Sequence, residues 1–383
     1  MDFLHTGDLH FGGIPAIGKI TEFGMREREY DLIRALSNIK SIARSEVVDT
    51  IIIAGDIFNT SSPDSTSRVC WSQFLISLIK GDIPSLRKVY IVLGNHDCPN
   101  SEIKADALEV DEEYVSGLGH SQVDIQIAST IRIDEYNGHG VILVPHSDNP
   151  DHIRSEVLKI YGECENRVND FILVGHIEIN EAELGANDTK LKSGFSYKDE
   201  IFSHKKLRYA ALGHIHKPQQ FLNPDSAAPI VYCGSPVSKD FNEAADWRRV
   251  IIGHANTTGL DHKEIELPDR DFITITNGEG LDDLNPDIVK GSIIKLKFKG
   301  NLEFIQSFNC AKIVSRLEEM GALQVKIDRA IMKEIKDTDE SEVFRDSASI
   351  PSACKTYIER FGPKELNKDK LLALSTERIK RSK

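Results

Sequence analysis

Five apolar runs in the first 216 residues of this chain end alike, in a glycine followed by a carboxylate, an amide or an imidazole. They are "FLHTGDLH", "TIIIAGDIF", "YIVLGNHD", "FILVGHIE" and "YAALGHIH". The runs themselves are four to six residues long and rich in Val and Ile, the pattern of strands buried beneath helices. "VILVPH" reads as a further strand. Longer, periodic stretches lie between them. A helix is predicted over 25–44, where Tyr30, Ile33, Leu36, Ile39 and Ile42 share one face, with others over 66–80 and in "DHIRSEVLKIYG". Strand and helix in alternation predict an α/β fold, and such folds gather ligands outside the carboxyl ends of their strands.

The strand ends carry Asp8 and His10, then Asp56, then Asn95, His96 and Asp97, then His176, and finally His214 and His216. Singly, each has an ordinary explanation. Gly-Asp is a common turn, Asn-His-Asp can cap a helix, and a lone histidine is more often a hydrogen-bonded partner than a ligand. His214 and His216 on their own could be two polar side chains on a turn. Five such ends in succession instead predict a common rim that collects residues scattered over more than 200 positions. Carboxylate, imidazole and amide oxygen without a thiolate motif suit Mn²⁺, Fe²⁺ or Zn²⁺ rather than a four-cysteine zinc site. That number of donors exceeds one ion and suits two sharing a carboxylate. Two ions about 3.5–4 Å apart can clamp a phosphoryl oxygen and activate water. On an extended segment His214 and His216 leave the same face, which predicts one histidine for each ion.

The 383 residues are enough for two or three domains, and 40% apolar with 28% charged side chains describes a soluble globular protein. The net charge of −13 argues weakly against coating nucleic acid by bulk electrostatics. Cys70, Cys98, Cys164, Cys233, Cys310 and Cys354 are scattered, which predicts a reduced, cytoplasmic protein. No secretory leader is predicted from "MDFLHTGDLH", and no apolar run is long enough to cross a membrane.

Residues 1–277 are predicted to form the main domain and 278–330 a small β-α-β domain, with "FIQSFNCAKIVSRLEEMG" as its helix. Residues 331–352 read as a charged linker. Residues 353–383 read as a tail of two short helices broken at Gly362-Pro363. From Lys355 the tail has nine Lys/Arg against four Asp/Glu.

"GDLH", "GDIF", "GNHD", a later "GH" and "GHIH" resemble the calcineurin-like metallophosphoesterases. Residues 209–219, "YAALGHIHKPQ", and 232–244, "YCGSPVSKDFNEA", resemble the SbcD/Mre11 group of DNA repair and recombination nucleases within them. "GHIEIN" is similar to phage recombination nucleases. The resemblance implies a four-layer phosphoesterase β-sandwich flanked by helices, with a small α+β capping domain that binds DNA and a helical tail. It assigns one ion to Asp8, His10, Asp56 and His216, and the other to Asp56, Asn95, His176 and His214, with Asp56 bridging. The ions it implies are two Mn²⁺, with Mg²⁺, Fe²⁺ or Zn²⁺ in their place. His96 then positions the phosphate and protonates the leaving oxygen, while Asp97 orients the imidazole or supports the turn. Asn59 stands where many relatives have an acid or a histidine.

The same resemblance implies exonuclease action on duplex ends and endonuclease action on single-stranded or hairpin DNA. It also implies a homodimer within a heterotetramer, docked through the tail to an SbcC/Rad50-type coiled-coil ATPase, in DNA repair, recombination or replication. Two other functions share these residues. One is a phosphoprotein or small phosphodiester hydrolase, but such phosphatases carry Asp-Arg-Gly after the second motif and Glu after "GNH", where this chain has "GDIFNTS" and "GNHDC". The other is a non-catalytic DNA-end scaffold, whose mark, a lost ligand, is missing from the sequence. Phe11, Phe58 and Phe171 adjoin the motifs and read as core; His146 reads as a support for a ligand, and Tyr232, Ser235 and Pro236 as site wall.

Overall fold

The structure, a computed structural model, describes residues 1–22, 24–98, 106–117, 122–185, 194–256 and 259–331. In chain order the first elements are β1 (Asp2–Thr6), α1 (Tyr30–Ser45), β2 (Thr50–Ile53), α2 (Ser65–Ile79), β3 (Lys88–Val92), α3 (Glu109–Gly117) and β4 (Asp124–Ala128). Next come β5 (Arg132–Tyr136), β6 (His139–Val144), α4 (Pro150–Cys164), β7 (Asp170–His176), β8 (Leu207–Gly213), β9 (Gln219–Leu222) and β10 (Pro229–Tyr232). The chain then returns through β11 (Arg249–Asn256) and β12 (Gly259–Glu266).

These strands make two six-stranded sheets, ordered β12-β11-β1-β2-β3-β4 and β5-β6-β7-β8-β10-β9. Within the first, β1, β2, β3 and β4 run parallel; within the second, β6, β7, β8 and β10 do. The apolar runs have no polar alternation because both strand faces are covered. On β2, Ile51 and Ile53 pack under α1 and α2, whereas Ile52 points into the layer shared by the two sheets. On β7, Phe171 and Leu173 face α4, and Ile172 and Val174 face the shared layer. Full burial of one such side chain stabilises by roughly 1.5–3 kcal/mol. The result is an α/β fold of helix, sheet, sheet and helix, with Phe11, Phe58 and Phe171 in the core as expected.

Local signals set the helix starts. Asp64 accepts the Thr66 and Ser67 amides at the head of α2, and Asn149 accepts that of His152 before Pro150 opens α4. The predicted start of the first helix is five residues early. Residues 19–22 and 24–27 instead form turns around an Ile20–Arg26 bridge, with Thr21 N–H on the Met25 carbonyl.

Further along lie β13 (Phe272–Thr276), α5 (Pro286–Val289), β14 (Ile293–Gly300), α6 (Leu302–Ser307), α7 (Cys310–Glu319) and β15 (Gln324–Ile331). The three strands form a small sheet in the order β13-β14-β15. The single helix expected here is two, because Phe308 turns extended after the first and Asn309 caps the second by accepting the Lys312 amide at 3.1 Å. The described chain separates into one compact unit of 1–275, 280–295 and 314–326, and another of 276–279, 296–313 and 327–331. In the second unit Phe308 packs against Phe298 and Phe304, with ring centroids 4.6 and 5.1 Å apart. The predicted linker at 331–352 and tail at 353–383 lie outside the described residues, apart from the backbone of Ile331. Among the described residues, no helix is long and apolar enough to cross a membrane.

Candidate metal centre

Parallel strands point their carboxyl ends one way, so the loops after β1, β2, β3, β7 and β8 meet at one rim. The loops interlock. Amides of Asp8, His10 and Phe11 donate to the carbonyls of Gly55, Asp56 and Ile57 at 3.0, 2.9 and 2.9 Å, which prolongs the β1–β2 pairing. The His214 amide donates to Asp8 Oδ1, and the His96 amide to Asp56 Oδ1, each at 2.9 Å.

Asp8, His10, Asp56 and His214 all have left-handed backbone, with φ of 51°, 49°, 50° and 101°. They are four of eight such non-glycine residues among those described, and each costs of order 1–3 kcal/mol. Strain gathered at one rim marks a place where side-chain direction matters more than backbone ease. It also revises the expectation for His214 and His216. They lie beyond the end of β8, and the turn at His214 replaces strand alternation in aiming them. The glycines before the polar residues answer to close approach. A β-carbon at Gly213 would fall on the Ala54 carbonyl oxygen, and one at Gly94 on the Asp56 carboxylate.

Donor atoms converge in overlapping groups. Asp8, His10 and His216 form one, Asp8, Asp56 and His176 a second, and His10, Asp56 and His96 a third, each within 4.8 Å. His10 Nε2 lies 2.9 Å from His216 Nε2 and 3.4 Å from Asp56 Oδ2. His176 Nε2 lies 3.5 Å from Asp56 Oδ2 and 3.0 Å from Asn95 Oδ1, which in turn is 3.1 Å from His214 Nδ1. Six of the seven predicted ligands, Asn95 aside, are at most 4% exposed.

The tautomers explain why this arrangement needs cations. His176 Nδ1 must donate to the Ala54 carbonyl at 2.9 Å, so its Nε2 presents a lone pair to the oxygens of Asp56 and Asn95. His216 Nδ1 donates to Glu243 Oε1 at 3.0 Å, so its Nε2 likewise presents a lone pair to the rim. Electron pairs facing electron pairs repel unless a positive ion lies between them. Burial strengthens the case. It holds His10 and His176 well below the usual histidine range and so neutral, as ligands must be. It also pushes Asp56 up to about 7, against the His96 amide bond and the charges of His214 and Lys239. A divalent cation removes that penalty. The residues therefore fit two divalent ions.

Two carboxylates escaped the sequence reading although both sit inside quoted motifs. Glu243 orients His216, and Glu178, 2% exposed, lies 3.7 Å from His214 Nε2. Such partners fix ring orientation and raise ligand basicity. Their only sequence signal is an acid within a strand-end segment. His146 stands edge-on to His176 at 6.4 Å between centroids. The Tyr232 hydroxyl donates to the Ile177 carbonyl and accepts the Ile179 amide, at 2.7 and 2.8 Å.

His96 lines a cleft of about 330 Å³ with Asp56, Asn59, Asn95, His214, His216 and Lys239. Its Nδ1 donates to the Asn59 carbonyl at 2.9 Å, leaving Nε2 for the cleft. The contact uses the Asn59 backbone, so it is indifferent to the unusual side chain there. Burial lowers the His96 pKa, with the Asn59 bond acting in the opposite direction. Asp97 is elsewhere. Its carboxylate accepts the amides of Ile57, Phe58 and Gly94 at 3.1, 2.9 and 2.9 Å, so of its two expected roles the geometry shows support of the turn.

The sequence profile of the calcineurin-like phosphoesterases matches residues 1–218. The chain is 25% identical to a subunit of the nuclease SbcCD from Bacillus subtilis (strain 168), over 66% of each chain. It is 26% identical to DNA double-strand break repair protein Mre11 of Methanocaldococcus jannaschii, over 72% of this chain and 69% of that one. With the SbcCD nuclease subunit of the same name from Staphylococcus epidermidis the identity is 23%, over 99% of this chain and 97% of the relative. The chain thus spans just under two thirds of the Bacillus subtilis relative's length.

Proposed function

Because the chain belongs to the calcineurin-like phosphoesterase family, we propose that it is a dimetal-dependent nuclease that hydrolyses DNA phosphodiesters. The observation carrying this is the rim itself, where lone pairs from five strand ends converge beside a cleft lined by His96. The names of the relatives, and the placement of residues from 209–219 and 232–244 within the site, support DNA over other phosphoesters.

Asp8, His10, Asp56 and His216 would hold one divalent ion, and Asp56, Asn95, His176 and His214 the other. Bound there, two such ions polarise the phosphate and lower the pKa of water. Asp56 lies between both groups and sets their spacing. His96, tethered through Nδ1, has Nε2 free for the cleft; in its doubly protonated form it would give the Nε2 proton to the sugar oxygen as the oxygen of water bonds to phosphorus and the bond from phosphorus to the sugar oxygen breaks. Asp97 holds the loops of Asp56 and Asn95 together. Manganese is the ion proposed, with magnesium, iron or zinc as substitutes.

The substrates proposed are duplex ends for exonuclease action and single strands or hairpins for endonuclease action. The partner is an SbcC/Rad50-type ATPase acting on a homodimer of this chain. The boundaries at 277, 330 and 352 are part of this reading, with the tail as the docking element. Deleting 345–383 should abolish co-purification with the ATPase.

The test is hydrolysis of linear duplex DNA with Mn²⁺, beside a phosphopeptide and a small aryl phosphodiester. DNA should be the preferred substrate, and preference for the phosphopeptide would replace the reading with a protein phosphatase. His96→Ala should lose about 10²–10⁴-fold in rate while binding Mn²⁺ as tightly as before. Wild-type activity in that variant excludes the role given to His96.

A further inference from the structure

We infer that Lys239 is a phosphate-binding side chain of the cleft, fixed through Glu243 to the metal ligand His216. The inference rests on the phosphodiesterase reading and adds a substrate contact to it.

The chain after β10 runs through turns from 234 to 248 and forms one side of the site. Buried groups hold this segment. Glu243, 1% exposed, divides its carboxylate: Oε1 takes the His216 imidazole at 3.0 Å and Oε2 the Lys239 amide at 2.8 Å. Arg248, 2% exposed, donates to the Glu243 carbonyl at 2.5 Å and to the Ser235 carbonyl at 3.3 Å. A carboxylate this buried is tolerable only when its oxygens are occupied, and here each has a partner. One side chain therefore ties the backbone of Lys239 to a metal ligand, so the two move together.

Lys239 lines the cleft beside Asp56, Asn95 and His96. Asp240 lines the cleft too and would repel a phosphate. Its carboxylate is turned to its own loop, however, where it accepts the Asn242 amide at 2.7 Å and the Asn242 side chain at 3.3 Å. Lysine suits this position because an ammonium is a compact charge whose three donors can follow a phosphate oxygen. Its placement beside His96 gives a cation for the non-bridging oxygens next to the group proposed to protonate the leaving oxygen.

The experiment titrates inorganic phosphate into the full chain loaded with Mn²⁺, with manganese affinity measured on the same samples by calorimetry. Lys239→Gln should weaken phosphate binding roughly tenfold to a hundredfold, the loss expected for one charge-assisted hydrogen bond, and leave manganese affinity unchanged. Lys239→Arg should retain most of the phosphate affinity. Glu243→Gln should weaken both ligands, since it serves both His216 and Lys239. Equal phosphate affinity in Lys239→Gln and wild type overturns the inference, as does a manganese-loaded wild type that binds no phosphate. A wild type that binds no manganese overturns the proposed function, and this inference with it.

Discussion

Replacing Asp97 with alanine should damage stability and the metal centre together, although the side chain touches neither ion site. Its carboxylate is fully buried and is the acceptor for three amides, with Oδ2 taking Ile57 and Gly94 and Oδ1 taking Phe58. Alanine leaves three buried donors unmet, at about 1–3 kcal/mol each. Some of that is offset already, because burial and then the Asp56 charge push the Asp97 carboxyl up to about 8. The lower end of the range, about 3 kcal/mol, is therefore expected. At about 2–4 °C per kcal/mol for a domain of this size, the melting temperature in chelator should fall by roughly 6–12 °C. Asparagine can keep its oxygen where two amides meet and lose only the Phe58 bond, so it should cost about 1–3 kcal/mol. The amides lost belong to the loops that carry Asp56 and Asn95, so manganese affinity should fall in the same order, alanine below asparagine. Thermal unfolding and calorimetry on the three proteins measure both quantities. An Asp97→Ala chain that melts and binds manganese like wild type refutes the tie between these loops.

Gly94→Ala should lower manganese affinity by at least about tenfold and cost about 1–3 kcal/mol, because its β-carbon falls on the Asp56 carboxylate; unchanged calorimetry would contradict this. His5 is held at about 3, chiefly by burial, whereas the unfolded chain takes that proton near 6.5. Stability should therefore fall as pH drops from 6.5 towards 3, by about 1.4 kcal/mol per unit from this residue. His5→Leu should flatten the slope of unfolding free energy against pH by that amount, and an identical slope would refute the assignment. Saturating a site with manganese at about a hundred times its Kd should stabilise the chain by about 2.7 kcal/mol, and chelator should reverse it; a melting temperature indifferent to both would count against the rim as an ion site.

The strand ends were legible because strands covered on both faces are mostly apolar along their middles and gather polar side chains at their carboxyl ends. Thr50–Ile53 and Asp170–His176 illustrate this, with Asp56 and His176 appearing where the apolar run ends, still buried but facing the rim. The chain's return to the first sheet was not legible. Gly259–Glu266 is polar and half exposed, and its neighbour Arg249–Asn256 pairs with β1 across some 250 residues, a choice no local pattern encodes. Glu243 and Glu178 were hidden for the same reason, since each acts on a histidine distant in sequence. The early helix start was misjudged because Tyr30 begins a helix whose register is set by tertiary contact: buried Arg28 pairs with Asp31 and reaches the Ser238 carbonyl. Sequence left both roles open for Asp97 beside His96, because the backbone amides that surround its carboxylate are neighbours only in space.

The central claim is that the converging side chains hold two ions sharing Asp56. Anomalous diffraction from crystals grown in manganese tests it most directly. The account predicts two peaks per chain about 3.5–4 Å apart, one bounded by Asp8, His10 and His216 and the other by Asn95, His176 and His214, with Asp56 between. A single peak, or none at these residues, would contradict it.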